Sequence, residues 1–341
     1  MSRRVVTLFV GAVLLVALGI FGVALPVPYT AIGPGPTLDT LGKAEGKDII
    51  RVEGKATNPT AGHLNLTTVS VQNHLDLLSA LRGWVDSTIS VVPREELYPP
   101  DKSEDQINQE NTAEFVQSQG NAVLAALAEL RYPQKVVVQG VTAGSASRGR
   151  LRPGDVLLRI DGTAVPDLGS LERLLTGVPA GRTVRVGYLR ERRPGTVNVT
   201  LQAASRRKGG ALGVLVAMNP VAPDFDVSVQ IDERIGGPSA GLMFALGIME
   251  KVGPKELTGG RFVAGTGTID PDGKVGPIGG IPLKMIGARG QGATVFLVPT
   301  KNCPEARADT PAGLELVKVG SLHDALAALA TLRGGGVPPG C

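Results

Sequence analysis

Residues 234–248 read RIGGPSAGLMFALGI, and Ser239 stands inside the string Gly237-Pro238-Ser239-Ala240-Gly241. A Gly-x-Ser-x-Gly string fits a sharp strand-to-helix turn that exposes a serine hydroxyl as a nucleophile. Such a hydroxyl is a weak nucleophile until a neighbouring base takes its proton. The chain offers only three histidines for that work, His63, His74 and His323. His63 and His74 lie in the N-terminal half with no acid at motif spacing and read as structural or surface residues. His323 comes two residues after Ser321, which reads as a helix N-cap, so it falls on the first turn of a predicted helix.

A lysine can replace the histidine if it is neutral at working pH, and burial in an apolar pocket disfavours its charged form. Lys274 follows the tight turn Asp270-Pro271-Asp272-Gly273 and reads as exposed, while Lys251 and Lys255 flank a helix end and read as solvated. Lys284 differs. It sits in PIGGIPLKMIGA, with no acidic residue from Gly273 through Lys301. A lone lysine on such a face is most often an exposed helix residue; the missing acids and apolar flanks favour a buried one here.

The same segments carry a family resemblance. GGPSAG around Ser239, GTGTI with Thr266, and KVGPIGGIPLKMIGARGQGATVFLVPTKN resemble the proteolytic domain of Lon proteases. The resemblance covers roughly residues 209–330. It implies a Ser-Lys dyad of Ser239 and Lys284, with Thr266 orienting the lysine and Gly237, Pro238 and Ala240 forming the nucleophile and oxyanion segment. Backbone N–H groups at a helix N-terminus would stabilise the oxyanion, and Gly236, Gly237 and Gly241 would let substrate approach. Many Lon enzymes carry an acid three residues before the serine; here that residue is Gly236. The chain holds no G-x-x-x-x-G-K-[ST] string, so no nucleotide is expected. The competing Ser-His-Asp reading, of the α/β-hydrolase kind, would use Ser239, Asp270 or Asp309, and His323. It lacks an HGGG-type oxyanion segment before the serine, and too few residues remain for a doubly wound sheet.

Upstream, residues 135–203 run strand, loop, strand, Asp161-Gly162 turn, strand, helix and hairpin, with Ser170 as a candidate N-cap. The words GRLRPGDVLLRIDGTAV, LERLL and GRTVRVGYLRE resemble a PDZ domain in the circularly shifted form of bacterial envelope proteases. PDZ domains bind extended peptides by adding a strand to a sheet edge. The resemblance puts a groove between strand residues Val136, Val137, Val138 and Val141 and helix residues Leu171 and Leu175. The glycine-containing loop that usually holds a terminal carboxylate is replaced by LRYPQ at its expected place. A PDZ fold used only for packing is the alternative.

The remaining elements frame these motifs. Residues 5–25 are uncharged and nearly all apolar, long enough for one transmembrane helix. Arg3 and Arg4 precede them, which by the positive-inside rule puts everything after Pro26 outside the cytoplasm. A cleaved signal ending at Gly22-Val23-Ala24 is the alternative, with the same placement of the body. Residues 27–82 look β-rich, with Gly-Pro turn signals in YTAIGPGPTLDTL; residues 104–130 read as a helix broken near Gly120. Aromatic residues make up only 4%, so the cores must be aliphatic. The net charge of +4 is mild, and the basic clusters at 190–193 and 206–208 read as solvated turns without the aromatic interleaving of a nucleic-acid surface. Cys303 and Cys341 have no CxxC partner and there is no HExxH string, so no metal is expected. Outside the cytoplasm the two cysteines could pair, although the tail GGGVPPGC reads as flexible.

The expected fold class is α+β and multidomain: an anchor (1–26), a β-rich segment and helix that packs with the protease domain (27–130), a β-rich PDZ domain inserted after it (131–205), a Lon-type α/β proteolytic domain (206–334) and a flexible tail (335–341). The expected function is an ATP-independent serine endopeptidase in the cytoplasmic membrane, single-pass, acting outside on envelope proteins selected by the PDZ domain. Together these parts look like the Lon-like PDZ proteases of Gram-positive bacteria. Partners are protein or peptide substrates and the membrane, with no nucleic acid and no cofactor; a homo-oligomer stays open because Lon-type domains form rings. The alternatives are a non-catalytic PDZ scaffold or holdase on a protease fold, and the Ser-His-Asp hydrolase.

Overall fold

The computed structural model describes residues 3–204, 209–222, 224–231 and 235–341; the basic run expected as a turn at 206–208 lies outside them. The chain opens with the apolar helix α1 (Arg3–Ala24), then β1 (Tyr29–Asp39), β2 (His63–Gln72), α2 (Leu77–Val85), β3 (Ser90–Pro93) and the long helix α3 (Glu104–Glu129). Next come β4 (Gln134–Val141), β5 (Val156–Ile160), α4 (Leu168–Thr176), the hairpin β6 (Thr183–Arg190) and β7 (Arg193–Thr200), and β8 (Val214–Pro220). The last third supplies α5 (Gly241–Val252), β9 (Phe262–Gly265), α6 (Ile281–Gly290), β10 (Val295–Pro299), α7 (Cys303–Ala308), β11 (Glu315–Val319) and α8 (Leu322–Arg333). Two compact units result. One gathers Met1–Arg51, Asn58–Ala122 and Val229–Cys341; the other gathers Val52–Thr57 and Val123–Ser228.

The first unit is built on a mixed sheet in the order β11-β10-β9-β2-β1-β3. β11, β10, β9 and β2 run parallel, and β1 and β3 close the sheet antiparallel. Parallel strands need cover on both faces, and α5 gives it on one side: all of its residues from Gly241 to Val252 are buried. This helix includes Lys251, which the sequence reading left in solvent. Its ammonium instead donates to the Ile50 carbonyl at 2.9 Å. The expected turns of the Gly33-Pro34-Gly35-Pro36 stretch are also absent. β1 runs straight through it, with a register shift against β2 between Pro34 and Thr37. The glycines serve close approach instead. A Cβ on Gly35 would lie 2.7 Å from the Thr68 backbone carbon of β2, and one on Gly287 of α6 would lie 2.9 Å from the Gly35 carbonyl oxygen. Strand and helix can touch there only without side chains.

Two further expectations change. α3 runs unbroken through Gly120, where a Cβ would meet open space, so the glycine weakens the helix without ending it. The C-terminal tail is tied down, since Lys318 N–H donates to the Pro339 carbonyl and Cys341 is disulfide-bonded to Cys303 with a Cα–Cα distance of 5.2 Å.

The second unit holds a sheet in the order β7-β6-β5-β4-β8 around an aliphatic core of Val136, Val138, Leu157, Val184, Val186 and Leu201. The boundary expected at 205 is too early. β8 pairs antiparallel with β4 from Pro220 opposite Gln134 to Val214 opposite Val141, and Val214, Val216 and Met218 pack on the same core. Without β8 the buried strand β4 would present an open edge. Asp167, rather than Ser170, caps α4, accepting from the Ser170 N–H. Arg190, expected in a solvated turn, makes a two-pronged ion pair with the buried Asp155.

Gly35→Ala forces the Thr68 backbone or α6 to move. The variant is expected to lose about 1–3 kcal/mol of stability, measured by urea denaturation, as overpacked sites do.

Candidate active site

Ser239 lies in the turn just before α5, and Lys284 lies on the first turn of α6. α6 starts where it does because Gly280 adopts the left-handed conformation (φ 69°) that turns the chain, and Pro282 suits the first helical turn. The turn before α6 is anchored in turn by Asn302. Its amide donates to the Ile278 carbonyl at 2.8 Å and accepts from the Ile278 N–H at 3.0 Å.

These placements bring Lys284 Nζ to 2.7 Å from Ser239 Oγ and 3.1 Å from Thr266 Oγ1. Thr266 Oγ1 donates its only hydrogen to the Ser239 carbonyl at 3.0 Å, so toward Lys284 it can only accept. In either protonation state it therefore holds one N–H of the lysine. In the neutral amine this leaves the lone pair free to face Ser239. Lys284 is only 3% exposed, and among the described residues no carboxylate pairs with it. Burial alone lowers its pKa from 10.5 to about 8.

The serine turn rests on one face of α3. Gly237 N–H donates to the Asn111 carbonyl at 2.9 Å, Ser118 Oγ donates to the Pro238 carbonyl at 2.9 Å, and the Phe115 ring meets Phe244 edge-on. The sequence analysis does not single out Asn111 and Ser118; their i, i+4, i+7 spacing with Phe115 is the signal that points to them. These bonds correct two oxyanion assignments. The Gly237 N–H is already used and Pro238 has none, which leaves the N–H groups of Ser239 and Ala240, at the positive end of α5, for a developing oxyanion. Gly241 serves packing, because a Cβ there would strike Ile269 and Ser118 at 2.8 Å. Gly236 abuts Asn111, and Gly237 (φ 80°) opens on free space.

Ser239, Ala240 and Lys284 line a cavity of about 690 Å³ with Pro36, Leu66 and Phe115. β9 pairs with β2 only as far as Leu66, whereas β2 continues to Gln72. Thr67–Ser70 thus line the cavity with a strand edge that an extended chain can join.

No histidine reaches Ser239 Oγ among the described hydrogen bonds. His63 Nδ1 pairs with Asp39 at 2.7 Å, and His74 and His323 are exposed. Lys251 points to Ile50, and Lys255 and Lys274 are exposed. Among the described residues no group of three or more His, Cys, Asp or Glu is placed to hold a metal ion.

In the second unit the expected groove is displaced by one strand. Val136, Val137 and Val138 are buried in β4, which is paired on both sides by β5 and β8, and neither they nor Val141 line the groove beside Leu171 and Leu175. Leu171 and Leu175 do line a groove, of about 500 Å³, facing Leu212, Val214 and Val216. Its strand is β8, and the loop entering it contains Gly213 at φ 71°. A glycine-containing loop thus precedes β8, at the far end of the domain in sequence, rather than β4 near residue 132. The word ALGV (211–214) was its signal.

Comparison with known proteins agrees with both parts. Residues 105–201 match the PDZ domain, and residues 232–329 match the Lon protease (S16) C-terminal proteolytic domain. The chain carries a PDZ domain and a Lon-type proteolytic domain. Among curated proteins, Lon protease 2 of Bacillus subtilis is 26% identical over 199 residues, 57% of this chain and 33% of that protein. Lon protease of Lachnoclostridium phytofermentans is 32% identical over 107 residues, 30% of this chain and 13% of that protein. The magnetosome formation protease MamE of Magnetospirillum gryphiswaldense is 43% identical over 56 residues, 16% of this chain and 7% of that protein. The chain thus spans about a third or less of the length of these relatives. The solved PDZ domain of an SdrC-like protein from Listeria monocytogenes is 21% identical and covers 24% of this chain and 86% of that one, with a TM-score of 0.23.

The lowered pKa of Lys284 fixes two pH dependences. Any activity that needs the neutral amine rises about tenfold per pH unit up to about pH 8 and then levels off, read from kcat/KM. Stability changes in the same direction. Below about pH 8 the folded protein carries a buried ammonium that costs about 3 kcal/mol. As pH rises from about 8 toward 10.5, the unfolded chain keeps a proton the folded chain has lost, so folding becomes more favourable. Lys284→Met is expected to remove this dependence, and urea midpoints across that range measure it.

Proposed function

We propose that this protein is an ATP-independent serine endopeptidase, anchored in the cytoplasmic membrane by α1, with its Lon-type and PDZ domains outside. One observation carries the catalytic reading: the buried Lys284 amine at 2.7 Å from Ser239 Oγ. Neutral Lys284 takes the Ser239 proton as the oxygen attacks a peptide carbonyl. The tetrahedral oxyanion is held by the Ser239 and Ala240 N–H groups. The ammonium of Lys284 then gives its proton to the leaving amine, and water repeats the sequence on the acyl-enzyme. The substrate enters as an extended strand along Thr67–Ser70, which requires an unfolded or flexible segment. The sequence carries no phosphate-binding loop, so the reading includes no nucleotide step.

The location rests on α1, with Arg3 and Arg4 at its start, and the Cys303–Cys341 disulfide, a bond that persists in oxidising compartments. The PDZ domain selects substrates by adding a peptide strand to β8, with apolar side chains seated against Leu171 and Leu175.

Cleavage of an unfolded protein by the purified full chain tests the catalytic reading. Ser239→Ala and Lys284→Ala are expected to lower kcat by about three orders of magnitude or more, while His323→Ala stays active. An active Lys284→Ala enzyme sinks the dyad, and a wild type that cleaves nothing leaves the scaffold reading in its place. For the PDZ domain, Leu171→Arg is expected to slow cleavage of proteins while sparing a short unstructured peptide. Equal loss on both substrates would remove the selection role.

A further inference from the structure

α2 has an apolar face that the fold leaves uncovered. Its inner side is packed: Ala80 and Gly83 are buried, and a Cβ on Gly83 would strike Val91 at 2.5 Å. On the other side Leu81, Trp84 and Val85 are 45%, 55% and 88% exposed. With Leu77 they form one stripe at i, i+4, i+7 and i+8. Trp84 meets the Tyr29 ring edge-on, with ring centroids 5.5 Å apart.

This face is stitched to the end of α1. Leu77 N–H donates to the Leu25 carbonyl at 3.0 Å, and Pro26 and Val27 pair with Asp76 and Leu75. Gly22 of α1 approaches Leu78 so closely that a Cβ there would sit 3.0 Å from its Cγ. The stripe therefore lies at the level where the 22-residue apolar helix ends. Tryptophan at that level suits the boundary between acyl chains and headgroups, and an exposed basic residue, Arg82, lies on the same helix.

We propose that the outer face of α2 is a membrane-contact surface: Leu81, Trp84 and Val85 insert into the headgroup boundary of the bilayer that α1 spans. The proposal rests on the reading of α1 as an anchor. Continuity with α1 favours lipid over a second copy of the chain, because any protein covering this stripe would have to share its place with the bilayer surface.

The chain has a single tryptophan, so its fluorescence reports Trp84 alone. The full chain is reconstituted in phosphatidylcholine–phosphatidylglycerol vesicles, with and without lipids brominated near the headgroup. The expected result is emission shifted to the blue, strongly quenched by the brominated lipid and little affected by aqueous iodide. Emission that iodide quenches and the brominated lipid does not would overturn the proposal. So would emission that neither quencher reaches, which would mean that protein covers the stripe. Flotation of the vesicles after an alkaline carbonate wash tests α1 separately. Protein that floats without lipid quenching refutes only the α2 contact, and protein that does not float refutes the anchor on which it rests.

Discussion

The amine of Lys284 is buried beside a serine hydroxyl, and among the described residues no carboxylate compensates it. Much of the first unit follows from that constraint. A buried ammonium with no charge partner among the described residues is unfavourable, and close packing around most of it keeps water from relieving it. Gly35 and Gly287 give up side chains so that α6 can close on the sheet, and Asn302 clamps the turn that starts α6. Thr266 spends its one hydrogen on the Ser239 carbonyl and so holds both dyad partners through a single side chain. The site is thus maintained by backbone contacts as much as by the two residues that meet in it.

The meeting of Ser239 and Lys284 was legible in the sequence because its signals are local: a serine between small residues, and a lysine in a stretch without acids. What was not legible depends on pairing between distant segments. Gly33-Pro34-Gly35-Pro36 carries turn chemistry, yet pairing of Gly33, Pro34 and Thr37 with β2 holds it extended. Lys251 looks like a helix-end residue, and only the fold brings the Ile50 carbonyl to it. The strand 214–220 sits beside the proteolytic motifs in sequence, but the open edge of β4 claims it for the PDZ sheet. Each miss is a case where long-range hydrogen bonding outweighs local preference.

The two units present the same kind of opening. In the Lon-type unit, β2 outruns its partner β9 and leaves an edge at the cavity. In the PDZ unit, β8 is the terminal strand beside α4. Both favour extended backbone over any particular side-chain sequence, because strand addition is bonded mainly through main-chain groups. On the proposed function, a substrate bound in this way would be chosen first for being unfolded.

β1 leaves the end of α1 after a few residues, and its far half, at Pro36 and Leu38, lines the same cavity as Ser239. From Tyr29 to Leu38 a strand spans no more than about 30 Å. On the proposed anchoring and cleavage, β1 would act as a ruler that sets the height above the membrane at which a bond is cut. Bonds far out on a tethered substrate would then escape unless the chain folds back, so distance from the lipid would become a selector alongside sequence.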